Sequence, residues 1–396
     1  MSSLQSQDQV INILKKCFPK SNTFQIIEYS GIEGNLNFTG DIVRLTFEFT
    51  EDGIRNRKSL ILKILKNTDP TSIFQKLDLY IRERVVYDLI IPRMNNYLNE
   101  SLAPLDLKTT DSNIIILENL VMSGYEAGEN NRQLYGLSQC FPILKALANF
   151  HATSHKICQI DQQLLQNEML QNSKEGLLQL KKKTVDFWQP IYCELLAQNN
   201  VPSLIPKLVE VFRYMKENCN EIKSAVDYSN FKFYALCHGD FRKDNILLKY
   251  GPNDEVQGVK FIDFQTCFWS TPIYDFMFFT TVSVKAEVTE SHFETLVNWY
   301  VECLNEKLKE MNNALLYTKE DFIRDVKSLR IYLILNVTFS SFLLFPLDRY
   351  EFVDTMVKGK KENIPYYMEA CVEDELFTKG LLSNLKLFEK LGLFEP

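Results

Sequence analysis

The sequence predicts an α+β chain with a small strand-rich N-terminal part and a large helical C-terminal part. Three observations carry this. Alternating or continuous apolar runs of strand length crowd the first third of the 396 residues. After Gly124, apolar residues recur at helical spacing almost to the C-terminus. The exception in that second part is a hairpin signal, "NILLKY" and "VKFIDF" flanking "GPNDEVQG".

Taken in order, "DIVRLTFEF" (41–49) places Val43, Leu45, Phe47 and Phe49 on one side and Arg44, Thr46 and Glu48 on the other, a half-buried strand. "EDGIRNRK" supplies turn residues, and "SLILKIL" (59–65) reads as the partner strand of a hairpin. Residues 74–90, "FQKLDLYIRERVVYDLI", have helical spacing that ends at Pro92. "NIIILENL" (113–120) suits a buried strand, with a hinge near residues 119–124. The division predicted is therefore a unit of residues 1–119 followed by one of 120–396. "LSQCFPILKALANFHATSHKI" (137–157) opens the helical part. Residues 268–284 and 332–347 are its most apolar stretches; both are short for a bilayer span and carry polar interruptions, which favours buried helices. No internal repeat and no low-complexity segment is present.

Composition narrows the function classes. Hydrophobic residues make up 45% and charged residues 24%, ordinary values for a soluble globular protein, and the net charge is −7. An acidic chain without a basic block gives no reason to expect nucleic acid or an anionic membrane as partner. Nine cysteines without a C-x-x-C pair argue against a disulfide framework or a zinc ribbon and fit a reducing compartment. The N-terminus lacks the basic start and apolar core of a secretory signal. The expected location is the cytoplasm. No motif bears on oligomeric state.

The chemistry-bearing stretch is "ALCHGDFRKDNILLKYGPNDEVQGVKFIDFQ" (235–265). Acidic and amide oxygens crowd there inside apolar flanks, where each costs desolvation if left unpaired. Phosphoryl transfer uses H-R-D-x-x-x-x-N: the aspartate accepts the attacking hydroxyl's proton and the asparagine ligates magnesium. Here His238-Gly239-Asp240 precedes Asn245 at the same aspartate-to-asparagine spacing. Asp263, in "IDFQ", ends a strand as the aspartate of D-F-G does. The hairpin turn at 251–258 folds Asn245 and Asp263 to one end, with Asp240 in a loop just upstream. Magnesium takes oxygen ligands and keeps several waters, so one carboxylate and one amide oxygen suffice. A lone His-Gly-Asp would read as a turn and a lone Asp-Phe as a satisfied buried carboxylate; the joint pattern favours phosphoryl transfer.

Lys63, mid-strand in "LILKIL", is placed where an unpaired ammonium is costly. Its role in phosphate binding predicts a carboxylate partner on the next helix, Glu83 first and Asp78 otherwise. The competing reading is a lysine facing solvent from an edge strand. "SGIEGNLNFTGD" (30–41) offers Gly31, Gly34 and Gly40 for close approach to phosphates, or as simple turn glycines. Backbone groups of "LENL" (117–120), at Glu118 and Leu120, would meet an adenine edge if the fold is right. Asp275, in an apolar stretch, needs partners; backbone N–H groups of the Asp240 loop suit it, as structural support. His151 and His155, four apart, lack a third ligand and read as packed or capping residues. Lys181–Lys183 reads as a solvated helix face.

With "LENL", "CHGDFRKDN" and "FIDFQ" in place, the chain resembles the ecdysteroid-kinase-like (CHK kinase-like) family, related to the aminoglycoside and choline phosphotransferases of protein-kinase-like fold. The likeness runs from the loop near Gly34 through Lys63, Glu83 in its E-x-x-x-Tyr setting, "NRQLYGLSQCFPILKALANFHATSH", "HGDFRKDNILL" and "TPIYDFMFF". The resemblance implies a two-lobed protein-kinase-like fold, with a nucleotide-binding lobe (1–119) and a catalytic and substrate-binding lobe (120–396). It implies ATP and Mg2+, and transfer of a phosphoryl group to a hydroxyl of a steroid-like or xenobiotic small molecule, as in detoxification. Asp240 would be the base, Asn245 and Asp263 the metal ligands, and Lys63 with Glu83 the phosphate clamp. The acceptor pocket is expected between residues 124–230 and 270–390. Two departures stand out. Asn119 replaces the aspartate of L-E-D-L. Arg242 replaces an apolar or aromatic residue, and would either neutralise the transferring phosphate or face solvent. Competing functions are a choline- or aminoglycoside-type kinase with a polar acceptor, a catalytically silent binder of apolar ligands, and a metal-dependent hydrolase using Asp240, Asp263 and His238.

Overall fold

A computed structural model of the chain describes residues 7–31, 40–65, 78–109, 111–127, 133–171, 175–340, 351, 355 and 360–395. Gly34, residues 74–77 and 341–347, and the side chains of Lys181–Lys183 lie outside what is described.

Four antiparallel strands, β1 (Ser21–Gly31), β2 (Gly40–Glu51), β3 (Ile54–Leu65) and β4 (Ile114–Glu118), form one sheet in the order β1-β2-β3-β4. The alternation of β2 does what its pattern dictates: Val43, Leu45, Phe47 and Phe49 are all buried in one cluster. A helix that the sequence reading did not identify, Gln7–Cys17, covers that face with Val10 and Leu14. Phe18 follows it and lies 5.6 Å from the Phe47 ring and 5.2 Å from that of Phe49.

The β2–β3 turn is tighter than the turn-rich string suggests. Only Asp52 (φ 51°) and Gly53 (φ 78°) form it, and Glu51 already pairs with Ile54. Two successive left-handed residues match the twist of a two-residue hairpin, so the polar residues after them join the strand.

Pro92 does not end the next helix. Leu79–Val85 opens into a π turn, Val86–Ile90, and helical backbone resumes at Ile91–Met94. The Ile91 N–H reaches back to Val86 O, so the widened turn makes room for a residue without a donor. The buried run then becomes β4, followed by a 3-10 turn, Leu120–Ser123, closed by Gly124 at φ 80°.

Beyond it the chain is mostly helical. Helices Leu137–Ile160 and Ala286–Glu310 pack together at its centre, for instance through Trp299, whose Nε1 donates to Phe141 O at 2.8 Å. Strands β6 (Ile246–Tyr250) and β7 (Val256–Phe261) form the expected hairpin, with Ile246 opposite Phe261. Residues 268–284 are not one helix: β8 (Phe268–Ser270) pairs with β5 (Ala235–Cys237), and the buried helix is Ile273–Val282. A three-residue strand inside an apolar run carries no periodicity of its own, so only the pairing with β5 reveals it. Among the described residues no helix is long and apolar enough to cross a membrane.

Phe47 has no exposed surface and packs on Phe18, Phe24 and Phe49. Phe47→Ala is expected to cost about 3–5 kcal/mol, read from urea unfolding. A loss below about 1 kcal/mol would show that this cluster does not hold the sheet together.

Candidate active site

Strand β3 is flanked on both sides, with Lys63 opposite Ile42 on β2 and Ile115 on β4. It is not an edge strand, and the Lys63 side chain keeps only 13% of its surface exposed. Its Nζ lies 2.6 Å from Glu83 Oε1 and 2.9 Å from Asp263 Oδ1. Glu83, not Asp78, is the partner; Asp78 is exposed at the start of its helix, at φ 48°. Burial opposes the charge on Lys63, but the two carboxylates outweigh it and raise the lysine above its ordinary range. For Asp263 burial pushes the pKa up, Lys63 more than reverses this, and the group ends below the usual carboxylate range. Glu83 is more deeply enclosed, and burial keeps it above that range. Gln265 adds a hydrogen bond from Nε2 to Asp263 Oδ2 at 3.0 Å.

Asp263 itself sits at φ 68°, a left-handed residue at the end of the hairpin. One residue earlier, the Ile262 N–H donates to Asn245 O at 3.0 Å. The hairpin therefore brings Asn245 and Asp263 side by side, as their spacing predicts.

The Asp240 loop is fixed by short contacts. Asn245 Nδ2 donates to Asp240 O at 2.8 Å and to Asp240 Oδ2 at 3.0 Å. Arg242 Nε lies 3.2 Å and 3.1 Å from the two Asp240 oxygens, and its Nη1 pairs with Asp244. This differs from the solvent-facing reading of Arg242. The guanidinium is not turned freely to solvent, because Asp240 and Asp244, both within two residues of it, hold its charge at the loop. Nothing in the residue string gives its direction.

Asp275 behaves as support for the loop. It accepts hydrogen bonds from the His238 and Gly239 N–H groups at 2.6 Å and 2.9 Å. His238 is buried against Phe241 and Phe264, and its Nε2 lies 2.9 Å from Ile262 O. Burial lowers its pKa and keeps the ring neutral. A ring so enclosed does not serve the metal-dependent hydrolase that would pair it with Asp240 and Asp263. His155 also faces the core, with Nδ1 2.8 Å from Tyr234 O.

The proposed adenine edge lies apart from these carboxylates. Glu118 pairs with Leu60, three positions along β3 from Lys63, or about 10 Å along the strand. Its N–H and one side-chain oxygen are tied to Leu105. Leu120 is buried, and its carbonyl accepts from Tyr125 N. Asn119 makes sense as an amide: Oδ1 accepts from Val121 N at 3.2 Å while Nδ2 donates to Ser59 Oγ at 3.0 Å.

The donor set suits a hard divalent ion. With the Asn245 amide nitrogen committed to Asp240, the oxygen is the end left to ligate. The Asp263 side chain keeps about a quarter of its surface open. Oxygen donors in that number, beside an ammonium held by carboxylates, can bind a metal–phosphate group and orient a nucleophile. No curated protein matches the chain. The ecdysteroid kinase-like (EcKL) family model matches residues 35–313, a span containing Lys63, Glu83, Asp240, Asn245 and Asp263, and the chain belongs to this family of kinase-like proteins.

Proposed function

We propose that the protein is an ATP- and magnesium-dependent small-molecule kinase that phosphorylates a hydroxyl of a steroid-like or xenobiotic acceptor. The protein-kinase-like division into a nucleotide-binding lobe (1–119) and a catalytic lobe (120–396) is part of this reading. The observation that carries it is the Lys63 ammonium bridging Glu83 and Asp263, residues separated by 180 positions, next to the hairpin end that holds Asn245.

In this reading Lys63 holds the phosphates, and Glu83 holds Lys63. Asn245 and Asp263 hold magnesium, which supplies positive charge against the nucleotide's phosphate oxygens. Asp240 orients the acceptor hydroxyl and takes its proton. Asn245 and Arg242 fix the Asp240 carboxylate, so the residues contribute mainly positioning and charge. Backbone groups at Glu118 and Leu120 would meet the adenine edge in this reading. A second reading is favoured by one contact: Arg242 and Asn245 already occupy both Asp240 oxygens, as they would in a catalytically silent ligand binder.

Incubation with ATP, magnesium and a panel of hydroxylated steroids, plant glycosides and amino alcohols tests the two. A kinase yields ADP and an acceptor heavier by one phosphate; binding without either product supports the silent reading. Asp240→Asn is expected to lower kcat by about 10²–10⁴-fold with nucleotide affinity nearly unchanged. Undiminished turnover would remove the base assignment. Asp263→Ala is expected to weaken magnesium-dependent nucleotide binding, seen by calorimetry with and without EDTA. If chelation leaves wild-type nucleotide affinity untouched, Asn245 and Asp263 are not metal ligands.

A further inference from the structure

The loop carrying Asp240 is anchored from behind by a chain of buried side chains that reaches well beyond Asp275. Asp275 Oδ2 accepts not only the His238 N–H but also His151 Nε2, at 3.0 Å. On its other side, His151 Nδ1 lies 2.7 Å from Tyr300 OH. Asp275, His151 and Tyr300 have no exposed surface, and they come from three different helices, Ile273–Val282, Leu137–Ile160 and Ala286–Glu310.

The direction of these bonds follows from chemistry. A carboxylate only accepts, so the imidazole proton belongs on Nε2. Nδ1 is then a lone pair, and Tyr300 donates its hydroxyl proton to it. Asp275 thus selects the tautomer, and Tyr300 holds the far end of the ring so that Nε2–H stays aimed at the carboxylate. Without that hydroxyl Nδ1 is a buried acceptor that has lost its donor, and the ring is held at one end only. The Nε2–H contact with Asp275 then loosens, and the anchor on the His238 and Gly239 N–H groups loses its brace. Gly239, at φ 80°, is the turn that aims the next residue, Asp240.

Cys237 lies close by, and its sulfur, His151 and Asp275 place potential ligand atoms within 4.8 Å of one another. Both His151 nitrogens and both Asp275 oxygens are already hydrogen-bonded, so a network and not an ion accounts for the grouping.

We propose that His151 and Tyr300 are positioning residues, which hold the Asp240 loop in its working conformation by fixing Asp275. The kinetic consequence rests on the proposed role of Asp240; the mechanical consequence does not. The test is amide hydrogen exchange on the full chain, read on peptides spanning residues 235–242, for wild type, Tyr300→Phe, His151→Gln and His151→Phe. Tyr300→Phe removes one oxygen atom and should speed exchange at His238 and Gly239 about tenfold, with peptides from the three helices unchanged. His151→Gln, which retains a donor for Asp275, should be milder than His151→Phe. Turnover should fall in the same order, with nucleotide KM within about twofold, as expected when only the reacting group is misplaced.

Unchanged loop exchange in Tyr300→Phe overturns the proposal, as does faster exchange spread evenly over all helices. Faster loop exchange with full turnover overturns its kinetic half. Should His151→Phe fail to fold, Tyr300→Phe alone still decides. Should wild type phosphorylate none of the acceptors, the kinase reading is in question while the exchange result stands by itself.

Discussion

The arrangement turns on one ammonium group. Lys63 sits mid-strand in a sheet and retains about an eighth of its side-chain exposure, so its charge is stable there only because two carboxylates face it. Taking such ions out of water costs several kcal/mol each, and only close geometry recovers it. Each partner comes from a separate segment: Glu83 from the helix after the sheet's third strand, Asp263 from a hairpin deep in the helical part. That charge therefore ties the sheet, that helix and the hairpin end together, alongside contacts such as Arg82 Nη1 to Cys267 O at 2.8 Å.

Features that depend on local pattern were legible in the sequence. The period-two alternation of residues 41–49 gave the buried face of β2, because a pleated strand must put alternate residues on one side. The eighteen positions between Asn245 and Asp263 gave their proximity, because a hairpin returns the chain to its starting end. Features that depend on partners from afar were not legible. The helix Gln7–Cys17 turns Val10, Ile13, Leu14 and Cys17 to the sheet, a short helical pattern whose partner becomes evident only with the open face of the sheet it covers. Pro92 reads as a stop under local rules, yet the π turn before it absorbs the missing donor.

Arg242 is the instructive case within the site. Its position two residues after Asp240 was visible, but its direction depends on a competition between phosphate, solvent and two neighbouring carboxylates. Carboxylates so close win when the chain is alone, since they cost no chain entropy to bring near. His151 illustrates the opposite outcome. Four-residue spacing from His155 suggested ligand geometry and a packed role together; the packed role prevails because both ring nitrogens of His151 find polar partners in the core. A buried polar group is tolerated when its whole chain of donors and acceptors closes, and this one closes from Tyr300 to the loop backbone.

Asp240 is thus held in two different ways, and the difference has consequences for how a substrate can engage it. From behind, backbone N–H groups are fixed to Asp275, an attachment that no arriving ligand disturbs. In front, Arg242 and Asn245 grip the carboxylate through side chains that compete with any hydroxyl for the same lone pairs. A carboxylate oxygen has capacity for more than one donor, so an acceptor hydroxyl can join the set without evicting Asn245. Arg242, with Asp244 as an alternative home for its charge, is the partner that can yield at least cost. The fixed rear contact keeps the carboxylate in place while the front contacts exchange. In the proposed kinase reading, placement of the base is then independent of the substrate, and selectivity for the substrate belongs to whatever displaces or shares Arg242.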